Sequence, residues 1–319
     1  MKWVMKAVVQ KAISWLPNSQ GVNYWFQKNI TRGVILSDQH FGDKLTHATD
    51  HLDYYHEHCD LKPFQALELG SGWYPVVPIA LFLNGASNIV SIDINPLMNK
   101  QGVLECIEKY LQWHEENRLG KLGDMIVDER WEQLEELKGF QGSFEELCGK
   151  LRLKLLVTDA RDTGLKADSF DLICSNNTFE HIYPAVLEDI LKEFQRLLKP
   201  GGVSSHFIDM SDHFAHLDGS ISIYNFLRYS AAAWSRIDNS VQPQNRMRKR
   251  DYLDMYKKLG IVLVDEKDRP GDVSALEQER LHPDYSENYS PEELAISHTH
   301  LVSSAAAEAE LNIKNLVAD

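Results

Sequence analysis

Gln65-Ala-Leu-Glu-Leu-Gly-Ser-Gly-Trp73 carries an apolar run into an acid and two closely spaced glycines, after which a new apolar segment follows. The pattern predicts a strand, a tight turn and then a helix over Pro75 to Leu83, whose first turn tolerates the proline. Gly70 and Gly72 lack a Cβ, so they can take positive φ and let a ligand lie against the backbone. The helix after them presents unpaired N–H groups. Something small and polar is expected to bind there. A dinucleotide fingerprint needs Gly-x-Gly-x-x-Gly, whereas Gly70-Ser71-Gly72 is followed by Trp73, Tyr74 and Pro75. A pyrophosphate ligand therefore fits poorly.

Downstream, Asn88-Ile-Val-Ser-Ile-Asp93 reads as a second buried strand. Its terminal Asp93 follows Glu68 at close to the separation from which a carboxylate reaches ribose hydroxyls. Leu153 to Asp159 reads as a third strand, followed by Ala160, and Phe170 to Asn176 as a fourth, whose exit loop is Asn176-Asn-Thr-Phe-Glu-His181. Ligands of open α/β sheets bind at this carboxyl edge. Pro184 opens a helix with apolar residues at helical spacing from Val186 to Leu198, and Lys199-Pro-Gly-Gly202 stops it before a fifth strand ending near Asp209. Gly260 to Asp265 and His300 to Ala305 complete the strands.

Glu68-x-Gly70-x-Gly72 resembles motif I of the class I S-adenosylmethionine (SAM) methyltransferases, with Tyr74 standing where many members carry a third glycine. Glu180-His181-Ile182 and Leu198-Lys-Pro-Gly-Gly202 are similar to two further signatures of that family, in the expected order. The resemblance covers the chain from about residue 64 to its last strand. It implies a Rossmann-like α/β fold: a mainly parallel seven-stranded sheet, helices on both faces and an antiparallel last strand. It also implies SAM as cofactor, held by Glu68, Gly70, Ser71, Gly72, Asp93, Ile94, Asp159, Ala160 and Asn176, with Asp93 on the ribose and Asp159 beside the adenine.

The segment from Val203 to Asp218 concentrates the remaining chemistry: Asp209, Asp212, His213 and His216 would share one face if the chain turned helical there. A methyltransferase must align its acceptor and remove a proton from a poor nucleophile, a task histidine suits near neutral pH. His181, His213 and His216 are the candidates for base or orienting group, with His213 or His216 preferred and His181 more often a residue of the cofactor wall. A metal held by Asp209, His213 and His216 is a rival explanation, but no second motif demands one, and no metal is expected. His47 and His51, four apart on a helix, likewise lack a companion ligand pattern.

The organisation follows: residues 1–62 form a helical extension or lid, 63–319 the SAM-binding domain, with a helical insertion at about 97–150 and a substrate-side segment at about 206–245. The insertion either lengthens a crossover or offers a homodimer surface. In a 319-residue chain, a net charge of −14 disfavours docking on phosphate backbones, so nucleic acid is not expected as a partner. The basic run Arg246 to Arg250 is read as a solvated helix face. Cys59, Cys106, Cys148 and Cys174 form no C-x-x-C pair, which fits a reducing cytoplasm. Lys6 and Lys11 interrupt what would be a signal-peptide core. On a helical wheel of residues 1–16, Met1, Val4, Met5, Val8, Val9, Ala12, Trp15 and Leu16 share one arc and Lys2, Lys6, Gln10 and Ser14 oppose it. Such a helix permits peripheral membrane contact, but packing on its own domain is the expectation.

The leading function is therefore methyl transfer from SAM to an O or N of a small molecule, such as a natural product or sugar. Asn176-Asn-Thr-Phe179 lacks the Asn/Asp-Pro-Pro-Tyr pattern of base and glutamine methylation. A SAM-binding partner or sensor without chemistry is the alternative from another class. An aminopropyl transferase is kept open by Asp209, Asp212 and Asp218, whose charges would suit a polyamine.

Overall fold

The computed structural model describes residues 2–15, 35–240 and 242–305. The aromatic stretch Tyr24-Trp25-Phe26 lies outside them, as do Met1, Leu16 and the chain's last residues.

Seven strands form one sheet: β1 (Gln65–Leu69), β2 (Asn88–Asp93), β3 (Leu153–Val157), β4 (Phe170–Asn176), β5 (Leu198–Asp209), β6 (Leu263–Arg269) and β7 (His298–Ser304). Their order is β3-β2-β1-β4-β5-β7-β6. The first five strands pair in parallel, and β7 runs antiparallel to both β5 and β6. Because β1 lies between β2 and β4, the chain's direction of travel across the sheet reverses beside β1. That is where open α/β sheets leave a crevice at their carboxyl ends.

Helix α1 (Trp3–Ile13) precedes α2 (Asp38–His58), and α3 (Val76–Leu83) follows the glycine turn. All eight residues of α3 are buried, held between the sheet and α2 within one apolar cluster. The insertion contains α4 (Lys100–Glu115), α5 (Asp128–Glu135) and α6 (Phe144–Lys150), all helical as expected. On another cluster lies α7 (Pro184–Leu197), whose Leu187, Ile190, Leu191, Phe194 and Leu197 are buried. Burying each such side chain contributes about 1.5–3 kcal/mol. A third apolar cluster, including Ala7, Phe214, Phe226, Trp234 and Leu294, ties α1 to the segment that follows β5.

Three expectations need correction. The sixth strand begins at Leu263 rather than Gly260, because Gly260 takes φ +68° as it ends α8 (Lys249–Lys258) and its N–H caps Lys257 O. The run from Arg246 to Arg250 is not a solvated face. Arg248 is fully buried and donates to the carbonyls of Met210 (2.6 Å), Leu294 (2.9 Å) and Ile296, while Arg246 donates to Phe226 O and Tyr229 O. Five donors on a planar fork let one guanidinium hold two backbone segments together, at Met210 and at Leu294 to Ile296, which a hydrophobic residue could not do.

The third correction concerns α1, which packs on its own domain as expected but through the opposite face. Lys6 and Gln10 are turned inward, with Lys6 only 6% exposed, while Val8 is 63% and Trp15 77% exposed. Val4 and Met5 also face outward. Polar anchors decide the orientation: Trp3 N–H donates to Asp218 at 2.8 Å, Gln10 to Gln242 at 2.9 Å, and Lys11 Nζ to Asp238 O at 2.5 Å.

Candidate active site

The glycine turn is locked from both sides. Gly70 N–H donates to Ile92 O (2.8 Å) and Gly72 N–H to Asp93 Oδ2 (3.3 Å), so the ends of β1 and β2 form one unit. Gly70 has φ +89°, and a Cβ there would lie 2.3 Å from Thr178 Oγ1. That threonine hydroxyl in turn donates to Leu69 O, tying the exit of β4 to the turn. Gly72 has φ +57° and keeps the backbone bare beside the Lys44 ammonium.

Behind the turn, Ser91 Oγ lies 2.5 Å from Glu68 Oε2 and 2.8 Å from Ser71 Oγ, all three residues being buried. Burial pushes the Glu68 carboxyl up to about 8 against the pull of Ser91 and Lys44, so it is largely protonated at neutral pH. Asp93 keeps Oδ1 on the Asn95 N–H at 3.0 Å. Ile94 projects from this corner, 71% exposed, and Val157 at the end of the neighbouring β3 is also exposed. Asp159, just beyond β3, is held by the Arg161 guanidinium at 2.5 Å, which keeps its carboxyl below the usual range; Ala160 beside it is buried. Asn176 ends β4. Its Oδ1 accepts from His47 Nδ1–H at 2.9 Å, while its buried amide nitrogen has no partner among the described residues.

The acceptor-side histidines also come together, though without the helix imagined for them. From Ser211 to Leu217 the chain runs through turns, and side-chain contacts do the gathering. His213 Nε2 lies 3.3 Å from Asp209 Oδ2, its ring stacks on His216 with centroids 5.3 Å apart, and it meets the edge of His181 at 4.8 Å. His181 Nδ1 lies 2.7 Å from Pro243 O; a carbonyl only accepts, so Nδ1 carries the proton. Burial, with the neighbouring His213, pushes His181 down to about 4.

Asp209 is nearly buried, which alone would raise its pKa. The His213 contact, the nearby His298 and the Ser211 N–H outweigh that and hold it well below the carboxylate range. His216 keeps an exposed edge, with Nε2 3.2 Å from Ser211 Oγ. The protein packed round it, followed by His213, still lowers its pKa. The other acids of this stretch are occupied. Asp212 accepts from Phe214 N–H and Asn225, and Asp218 from Trp3 N–H and Ser220, so no row of free carboxylates awaits a polyamine.

Two contributors escaped the sequence reading. Lys44 and His47 sit three apart on α2, and that shared face was the available signal. His47 stacks on Phe207 at 3.7 Å, and burial, then Arg269, push it down to about 3, so it serves Asn176 as a neutral donor. His51, on the same helix, shares Ser205 Oγ with His300. His298, 3.4 Å from Asp209 Oδ1, comes from β7 and left no local trace in the sequence.

A family described as a methyltransferase domain matches residues 131–205, which span β3, β4, α7 and the first part of β5. Among solved structures, the PH0226 protein of Pyrococcus horikoshii OT3 is similar at 15% identity, covering 88% of this chain and 98% of that one, with TM-score 0.47. A geranyl diphosphate C-methyltransferase of Streptomyces coelicolor A3(2) shares 13% identity over 82% of this chain and 79% of its own, with TM-score 0.46. A phospholethanolamine N-methyltransferase 2 of Haemonchus contortus shares 12% over 81% and 52%, with TM-score 0.44. The matched segment lies on a sheet ordered β3-β2-β1-β4-β5-β7-β6, with the glycine turn joined to Asp93 ahead of it, and is similar to a methyltransferase domain over that stretch.

Proposed function

We propose that the chain methylates an oxygen or nitrogen of a small molecule, with His213 orienting the acceptor and His216 taking its proton. The observation that carries this reading is the convergence of Asp209, His213 and His216 at the exit of β5, one strand from the Asn176 end of β4.

When bound, SAM supplies a methyl group activated by its sulfonium. The Lys44 ammonium, beside Gly72, is suited to the methionine carboxylate. Asp93 is suited to the ribose hydroxyls, and the exposed Ile94 and Val157 to the two faces of the adenine. Asp159 would accept from the adenine amine while sharing its charge with Arg161, with the Ala160 backbone beside it. The unpaired Asn176 amide is a further donor on this edge.

Asp209 fixes the His213 ring, so an acceptor meeting that ring is positioned rather than merely bound. His216 is neutral at physiological pH because its pKa is lowered, and its exposed edge lets it pass a proton to water. We read helices α1 and α2, both within residues 1–62, as the cover of this cleft.

The test is a screen of phenols, amines, hydroxy acids and sugars with SAM, reading S-adenosylhomocysteine release and product mass. O- or N-methylated product is expected, with His216→Ala lowering kcat on the order of 100-fold and removing the acid limb of the pH profile. Turnover giving only C-methylated product would sink the acceptor assignment, and cofactor binding without any turnover would favour a partner or sensor role.

A further inference from the structure

Glu180 is 2% exposed, and neither carboxyl oxygen has a hydrogen-bond partner among the described residues. The N–H groups of Glu180 and Asp209 lie near it without reaching hydrogen-bond geometry. Leaving such a group buried and unsatisfied costs about 1–3 kcal/mol, so its surroundings call for an explanation. Two histidines supply one. His213 Nε2 is also buried without a hydrogen bond, although Asp209 lies 3.3 Å away. His181 gives its Nδ1 proton to Pro243 O and thereby leaves the Nε2 lone pair outward, the arrangement of a histidine prepared to ligate.

One ligand atom from each of Glu180, His181 and His213 lies within 4.8 Å of the others. Two ligands at about 2.1 Å from one ion stand at most about 4.2 Å apart, so a contraction of well under an ångström per side chain would close the site. We propose that Glu180, His181 and His213 bind a divalent first-row transition-metal ion, with the Asp209 carboxylate alongside adding negative charge.

Two imidazoles and one carboxylate suit zinc, iron, cobalt or nickel better than magnesium or calcium, which prefer all-oxygen sites. Three protein ligands leave a position open, and His213 borders a small cavity of about 10 Å³ beneath α1, shared with Lys6, Gln10 and Gln244, which has room for about one water. The ion would polarise the acceptor oxygen or nitrogen that took that water's place, a role that rests on the methyl-transfer reading; the binding itself does not. This is how His213 orients an acceptor, and it replaces the ligand set Asp209, His213 and His216 weighed from the sequence, since His216 turns to Ser211. Lys6 works in the opposite direction, because its field reaches both His181 and His216.

The experiment uses the full chain, stripped with chelator and titrated with Zn²⁺ and Co²⁺ in the absence of SAM. The Co²⁺ absorption spectrum reports histidine ligation, and S-adenosylhomocysteine binding is measured in parallel. A single tight equivalent is expected. Glu180→Gln and His213→Ala should each weaken it at least about tenfold, Lys6→Met should tighten it, and His58→Ala should leave it unchanged. His58 belongs to the other metal-compatible group among the described residues, Glu57, His58 and Asp265. Absence of binding by the wild type, binding that survives both Glu180→Gln and His213→Ala, or binding lost in His58→Ala would each overturn the proposal. If Glu180→Gln does not fold, His213→Ala carries the test. Loss of S-adenosylhomocysteine binding would sink the methyl-transfer reading alone, because the metal titration contains no cofactor.

Discussion

The two regions proposed for cofactor and acceptor, the glycine turn and the surroundings of His213, are built on different principles. Around Gly70 and Gly72, short-range geometry does the positioning: strand ends, positive φ and N–H donors from residues close in sequence or on adjacent strands. Around His213, the local neighbours Asp209 and His216 are joined by groups from distant parts of the chain. Asp209 ends β5, His298 arrives on β7, Pro243 holds His181 from a distant loop, and Lys6 reaches in from α1. A site made from local backbone geometry tolerates few substitutions at few positions. One made from distant parts spreads its dependence over anchors that touch no ligand.

That contrast can be broken most directly at Gly70. A Cβ 2.3 Å from Thr178 Oγ1, on a backbone at φ +89°, leaves no unstrained place for alanine. Gly70→Ala should lower S-adenosylhomocysteine affinity on the order of 100-fold or more by calorimetry, a left-handed non-glycine residue alone costing about 1–3 kcal/mol. Should the affinity survive, the turn is not the cofactor's seat.

On the acceptor side the largest effect should come from Arg248→Met. It strands three carbonyls on two segments and should cost on the order of 3–5 kcal/mol in thermal or denaturant unfolding, each hydrogen bond to a charged group contributing about 1.5–3 kcal/mol. The protein that remains folded should still bind S-adenosylhomocysteine, and a parallel loss of both would deny that the halves are separable.

Lys6→Met should act in the other direction. Burial, partly offset by Asp212, lowers the Lys6 pKa from 10.5 to about 8, a penalty of about 3 kcal/mol on the folded state. Between those values the unfolded chain holds more protons, so this contribution to stability rises with pH from about 8 to 10.5, and the full penalty is carried below 8. The methionine variant should therefore be more stable than wild type at pH 7, with the advantage fading towards pH 10.5 in paired melts. An advantage independent of pH would mean that Lys6 is not buried as a cation. The smallest effect is expected at Val8→Ser on the exposed face of α1, within about 0.5 kcal/mol.

The same contrast accounts for what the sequence disclosed. The sheet, the glycine turn and Asp93 were legible because strand alternation and glycine chemistry act over a few residues, and Asn88 to Asp93 matches β2 end to end. The insertion's helices were legible for the same reason. The orientation of α1 was not, since its apolar arc argued for one face and hydrogen bonds to Asp218, Gln242 and Asp238 selected the other. Arg246 and Arg248 looked like surface charge because nothing in a basic run announces the carbonyls that will surround it. His181, His213 and His216 do lie together, but their gathering depends on Pro243 and His298, which no spacing links to them.

The inward-facing helix also sets the order in which the protein can become competent. Trp3 is tied to Asp218 across 215 residues and Gln10 to Gln242 across 232, so α1 has no dock until the segment after β5 has been made. Thr178, which ties the exit of β4 to the glycine turn, is made before Asp218 and Gln242, so the turn can close before α1 docks.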